Sequence, residues 1–173
     1  MAKRYESTFT EEEKEYFMRE AMKEAHIAGS LEEVPIGAVL VLNGEIIGRG
    51  HNLRETTQDA TTHAEMTAIR KANEVLTSWR LEDTALFVTV EPCAMCSGAC
   101  LLARIPEIYF GATNPKGGTA GTVLNLFDIP AFNHAPYVEG GVLEEECAAI
   151  MTGFFKERRV RKKNSGNLSK NEV

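Results

Sequence analysis

The sequence predicts an α/β fold, a three-layer α/β/α sandwich around a mixed central sheet. Three observations carry that prediction. Two apolar runs, "PIGAVLVL" and "EIIGRGH", flank Asn43-Gly44, a dipeptide that favours a two-residue hairpin between antiparallel strands. The run "TALFVTV", Thr84 to Val90, is almost continuously apolar, as expected of a buried strand. Helix-period and strand-period segments then alternate along the chain, the arrangement in which helices cover a sheet.

The elements follow in order. Thr10-x-x-Glu13 has the form of a capping box and opens the first helix. Phe17, Ala21, Met22, Ala25 and Ala28 recur behind it at helical spacing, and Gly29 marks its end. After the hairpin, the loop "NLRETTQDATT" leads into a second helix with the stripe Ala64, Ala68, Ile69, Ala72 and Val75. "TALFVTV" runs directly into Pro92 and two cysteines. "CAMCSGACLLA" then reads as a third helix, proline being tolerated near a helix start. "EIYFGA" is another strand, followed by the glycine-rich loop "TNPKGGTAG". Pattern assigns no element between Val123 and Val138. Leu143, Cys147, Ile150, Met151 and Phe154 form the buried stripe of a last helix. The expectation is one domain over residues 1–163 and a polar, disordered tail over 164–173, "NSGNLSKNEV".

Composition narrows the class. A chain of 173 residues, 43% hydrophobic and 25% charged, is that of an ordinary soluble domain with a substantial core. "MAKRYESTFTEEEKEY" has no apolar export segment, and no later stretch approaches membrane-spanning length. The expected compartment is therefore the reducing cytoplasm, where four cysteines are not a disulfide framework. The net charge of −6 disfavours nonspecific nucleic-acid binding, yet "KERRVRKK", Lys156 to Lys163, concentrates positive charge. That stretch reads either as a solvated helix end or as a footprint for phosphates.

Cys93 and Cys96 pose the chemical question. A C-x-x-C pair serves as a redox dithiol, as half of a structural zinc clamp, or in a catalytic metal site. Structural zinc takes four protein ligands; catalytic zinc takes three and keeps a position for water. Cys100 continues the apolar face of its helix and Cys147 lies on the last stripe, so both read as core. The redox reading leaves His63-Ala64-Glu65 unexplained. His63 lies at the start of the second helix, as the two cysteines lie at the start of the third. If those N-termini face each other, His63, Cys93 and Cys96 make three ligands, and helix dipoles favour the thiolates. Glu65 then sits beside the metal, placed to move protons. A local alternative is that Thr62-x-x-Glu65 merely forms a capping box.

The constellation H-x-E followed by P-C-x-x-C is identified as the signature of zinc-dependent nucleobase deaminases of the cytidine deaminase-like kind. "EVPIGAVLV", "GHNLRE", "THAEM", "SWRLED", "VEPCAMCSGAC", "RIPEIYFGA", "NPKGG", "FNH" and "FFKERR" extend the likeness over roughly residues 10 to 160. Across that span the chain resembles the bacterial tRNA adenosine deaminases. The resemblance implies a homodimer with one zinc ion per subunit, held by His63, Cys93 and Cys96. It implies hydrolytic deamination of the wobble adenosine to inosine in a tRNA anticodon loop, arginine tRNA with anticodon ACG being the expected substrate. Zinc would activate the attacking water and Glu65 would shuttle protons. Asn52 would hydrogen-bond the base, its ordinary alternative being to end a strand at a turn. The N–H of Ala64 would add a base contact. Arg54, Lys116, Asn133 and Phe155 would contact flanking nucleotides, or else be surface and packing residues.

Two departures bear on specificity rather than chemistry: Asn114 stands where many relatives carry Asp, and "FNHA" lacks the Arg often found after His134. The nearest rival reading is a deaminase of a free base or nucleoside (cytosine, cytidine or guanine). A rival of another class is a noncatalytic zinc-stabilised RNA-binding module, which requires four protein ligands. His26, His51 and His134 are expected in ordinary surface or core positions.

Overall fold

The computed structural model describes residues 5–168. Helix α1 (Glu11–Ser30) opens with the expected capping box: the Thr10 hydroxyl accepts from the Glu13 N–H, and the Glu13 carboxylate accepts from the Thr10 N–H. Phe17, Ala21, Ala25 and Ala28 are buried along one stripe, while Met22 is only partly so. Strands β1 (Gly37–Leu42) and β2 (Glu45–His51) pair antiparallel. Asn43 and Gly44 make the turn with φ of 50° and 79°, the doubly positive geometry that suits this dipeptide.

A single helical turn, α2 (Arg54–Thr57), interrupts the segment expected to be loop. Helix α3 (Ala64–Leu76) follows. Its stripe differs from expectation at one end: Val75 is 62% exposed, and Leu76 packs against the core instead. Strand β3 (Thr84–Val90) is buried at every residue. Helix α4 (Ala94–Ala103) begins just past Cys93, and β4 (Glu107–Ala112) is again fully buried. A 3₁₀ turn at Leu126–Asp128 and strand β5 (Tyr137–Gly140) occupy the stretch where pattern assigned nothing. Helix α5 (Glu144–Leu168) closes the chain. It runs into the segment expected to be a disordered tail, whose residues 169–173 lie outside the described residues.

The sheet order is β2-β1-β3-β4-β5, with β1 antiparallel to both β2 and β3, and β3, β4 and β5 parallel. The mixed sheet is therefore as expected. Side chains alternate between its faces. Val39, Val41, Phe87 and Tyr109 meet Phe17, Met18 and Ala21 of α1 and Cys147 of α5. Ala38, Leu40, Leu86, Val88, Ile108 and Phe110 meet α3 and α4 on the other face. Phe87 and Tyr109 stack at 4.7 Å on adjacent strands. Three layers result.

One close approach decides where the chemistry sits. A Cβ at Gly50 would lie 2.1 Å from the Ala64 carbonyl oxygen, and one at Gly48 2.3 Å from that of Ala68. Missing side chains on β2 let α3 rest directly on the strand backbone. The N-terminus of α3 is thus held beside the carboxyl end of β3, the end of a parallel pair where sites in such sheets collect.

Candidate active site

Two helix N-termini meet there. His63 is the N-cap of α3, with φ −77° and ψ 159°, and Cys93 is the N-cap of α4, with φ −79° and ψ 173°. Neither side chain caps its own helix, so imidazole and thiol are available to a shared centre. Cys96 joins them from the first turn of α4. His63 Nδ1 lies 3.6 Å from each sulfur. The Thr62–Glu65 capping box does not form: the N-cap is His63, and the Thr62 hydroxyl donates instead to the Asp59 carbonyl at 2.8 Å.

The donor set fits zinc. Zn–N bonds of about 2.05 Å and Zn–S bonds of about 2.3 Å in a tetrahedron separate nitrogen from sulfur by about 3.6 Å, the spacing found. Among the described residues, His63, Cys93 and Cys96 are the one group able to hold a metal ion. Cys100 and Cys147 are buried in the core and outside it, so the described residues offer no fourth thiolate. That argues against a closed structural site.

The three donors of the cluster differ in their affinity for protons. The Cys93 thiol is pushed down to about 3, first by the hydrogen bond from Cys96 and then, against the cost of burial, by His63. The same Cys93 thiolate raises the pKa of His63 and drives that of Cys96 up. A divalent cation in this position would displace the remaining protons. Glu65, buried at the start of α3, has its pKa raised, by burial foremost and by the neighbouring Cys93 charge. A carboxyl so placed can both take and return a proton.

A cavity of about 110 Å³ opens over the cluster, lined by Val34, Ile36, Asn52, Arg54, Ala64, Glu65, Val90 and Asn114 among others. Larger grooves elsewhere, such as one of about 780 Å³ between α5 and the end of α1, contain no such cluster. Asn52 is buried and its amide orientation is fixed. Its Nδ2 donates to the Val34 carbonyl at 3.2 Å and to Glu33 at 3.4 Å, and its Oδ1 accepts from the Arg54 N–H at 3.3 Å. What Asn52 has left is acceptor capacity on Oδ1. Ala64 is the first residue of α3, where an N–H has no acceptor within the helix.

Lys116, Asn133 and Phe155 are exposed and do not line this cavity; Phe155 rests edge-on against Phe154 at 5.4 Å. Two further residues escaped the sequence reading. Glu33 is 1% exposed and accepts the N–H groups of Glu55 and Thr56 at 3.2 and 2.5 Å, which fixes α2. Glu91 is 2% exposed and gathers N–H groups of the glycine-rich loop. Burial opposes ionisation of both, but these donors prevail and hold each pKa below the ordinary carboxylate value. Only a proline close behind each, Pro35 two residues after Glu33 and Pro92 directly after Glu91, hints at them in sequence. Of the unassigned histidines, His26 is exposed, His51 pairs with Glu24 at 2.9 Å, and buried His134 meets the Ile105 carbonyl at 2.7 Å.

Known proteins similar to this chain are deaminases. The MafB19-like deaminase family matches residues 12–159. A tRNA-specific adenosine deaminase of Bacillus subtilis is 54% identical over 149 residues, spanning 86% of this chain and 92% of the relative. A structure from work on A-to-I editing by tRNA:A34 deaminases at the wobble position is 47% identical. It covers 78% of this chain and 98% of its own, with a TM-score of 0.75. The guanine deaminase of Bacillus subtilis is 36% identical, covering 72% of this chain and 83% of its own, with a TM-score of 0.56.

Proposed function

The chain belongs to the tRNA-specific adenosine deaminases within the MafB19-like deaminase family, and from that premise we propose that it converts the wobble adenosine of a tRNA anticodon loop to inosine. Water replaces the 6-amino group, and ammonia leaves. The observation that carries the reading is one cavity lined by His63, Cys93, the buried carboxyl of Glu65 and the fixed amide of Asn52, with buried Cys96 completing the three-donor cluster.

His63, Cys93 and Cys96 would hold one zinc ion per subunit, and zinc supplies there a water activated as nucleophile at neutral pH. Glu65 would accept one proton from the attacking water and deliver it to N1 of adenine, which makes C6 electrophilic. It would then carry the water's second proton, from the new C6 hydroxyl, to the departing amino group. Asn52 offers its Oδ1 to a donor on the substrate, and the Ala64 N–H offers a donor. The small cavity takes one base, so the adenine must leave its stack, most cheaply from a single-stranded loop.

The remaining RNA lies outside, where Arg54 at the cavity, Lys116, Asn133, Phe155 and the cationic stretch of α5 would meet flanking nucleotides and phosphates. We assign the active unit as a homodimer. Exposed apolar side chains near the C-terminal ends of α3 and α4, including Val75, Trp79 and Leu102, support association of two copies. No helix among the described residues is long and apolar enough to cross a membrane, which accords with action on cytoplasmic tRNA.

The 36% identity to guanine deaminase favours, as a second reading, deamination of a free base by the same cluster. The test is inosine formation on an arginine-tRNA anticodon stem-loop containing ACG, beside free adenosine, cytidine and guanine. Inosine at the wobble position alone supports the first reading. Turnover of a free base or nucleoside with no RNA product replaces it by the second.

A further inference from the structure

We propose that Glu91 is a positioning residue: its carboxylate holds the loop Asn114–Thr122 closed as a wall of the active site and thereby sets how tightly substrate is gripped. The proposal rests on the deaminase reading for its effect on catalysis, though not for the clamp itself.

Glu91 immediately follows β3, and its N–H donates to the Ala112 carbonyl at 2.8 Å, which keeps its backbone in register with β4. Its side chain enters the neighbouring loop. Oε2 accepts the Asn114 N–H at 3.0 Å, while Oε1 accepts the N–H groups of Ala120 and Thr122 at 2.9 and 3.1 Å. Both ends of the loop are thus tied to one carboxylate. The loop is shaped around it, since a Cβ at Gly118 would lie 2.2 Å from Glu91 Oε2.

The requirement for a carboxylate follows from donor count. Both oxygens accept and neither donates, whereas an amide would set its NH₂ against one of the N–H groups. Asn114, at the near end of the loop, lines the cavity above His63 and Cys93, and exposed Lys116 lies between the ties. The loop keeps a separate anchor. Thr119 donates through its N–H to the Pro92 carbonyl at 3.0 Å and through its hydroxyl to Ser97 at 2.8 Å. Loss of the Glu91 ties therefore loosens the wall without detaching it.

The experiment compares the zinc-loaded wild type with Glu91→Gln, Glu91→Ala and Gly118→Ala. Three quantities are read: zinc per subunit, the rate of tryptic cleavage after Lys116, and kcat and KM on the anticodon stem-loop. The expected result is full zinc in Glu91→Gln and Gly118→Ala, with cleavage at Lys116 and KM each raised about tenfold, the scale of one charge-assisted hydrogen bond. Glu91→Ala should exceed both, and kcat should stay within about threefold in the two milder variants, since KM carries the loss of uniform binding. A role confined to stability would not separate KM from kcat. Unchanged cleavage at Lys116, or loss of zinc in Glu91→Gln, overturns the proposal. If the wild type makes no inosine, the tRNA reading fails, and cleavage alone decides the clamp.

Discussion

His63 Nδ1 stands 3.6 Å from the sulfur of Cys93 and at the same distance from that of Cys96, although the histidine and the cysteines arrive on different helices. The core that α3 and α4 share over the sheet holds them together, so metal binding and folding should be coupled. Chelation is expected to lower the thermal midpoint, and added zinc to restore it. His63→Ala and Cys96→Ser should lose stoichiometric zinc, whereas Cys100→Ala should keep it. Metal analysis of the four proteins checks this. Zinc loss in Cys100→Ala would mean a fourth protein ligand.

Glu65 and Glu91 are both buried carboxyls lining the cavity, but the Glu91 oxygens are taken up by loop N–H groups and those of Glu65 are not. Removing Glu65 should spare the metal and stop the proton transfers. Glu65→Ala is expected to retain zinc while kcat falls by about 10² to 10⁴, the usual weight of general acid–base catalysis. Single-turnover kinetics on the stem-loop measures the step directly. Turnover near the wild-type rate would remove Glu65 from the mechanism.

What was legible in the sequence is what local chemistry decides. The Thr10–Glu13 box, the Asn43-Gly44 turn and the unbroken run of β3 each carry their signal within a few residues. The cluster was legible too, because two helix starts with metal-ligand residue types are visible as pattern. Elements imposed from a distance were not. Turn α2 is held by N–H bonds to Glu33, some twenty residues earlier. Strand β5 is four residues long, none of them fully buried, and exists by pairing with β4. Glu33 and Glu91 were missed for the same reason: a glutamate near a proline reads as surface punctuation until tertiary structure closes over it.

Glu33 gives a prediction in pH. Its pKa is depressed from 4.5: burial works against the charge, but the Thr56 N–H and hydroxyl, the Glu55 N–H and the Arg54 charge outweigh it. A group with a lowered folded-state pKa stabilises the fold above its unfolded value, and that contribution fades as pH falls through the folded value. Glu33→Gln should therefore cost about 1 to 3 kcal/mol at neutral pH, the range for bonds to a charged group. The gap to wild type should begin to narrow as pH falls through the ordinary glutamate value of about 4.3. Denaturant midpoints at pH 7, 5 and 3.5 test it. A gap that persists unchanged at pH 3.5 would show that the ionised form is not what matters.

The last prediction concerns charge. A chain of net charge −6 repels a polyanion on average, so binding of RNA needs its cations placed locally. Lys116 lies beside the cavity wall, and α5 carries Lys156, Arg158, Arg159, Arg161, Lys162 and Lys163 on a mostly exposed stretch. Part of this charge is already engaged: Arg161 pairs with Glu32 at 2.7 Å, and Arg158 lies over the Phe154 ring. Each cation that meets a phosphate releases counterions, so log affinity should fall linearly with log salt, by about 0.7 per single-stranded contact. Lys116→Ala should weaken stem-loop binding and flatten that slope by about one contact. Zinc content should not change, because Lys116 lies outside the metal cluster. Filter binding across a salt series gives both numbers. An affinity indifferent to salt would mean that the base alone, in its small cavity, carries recognition.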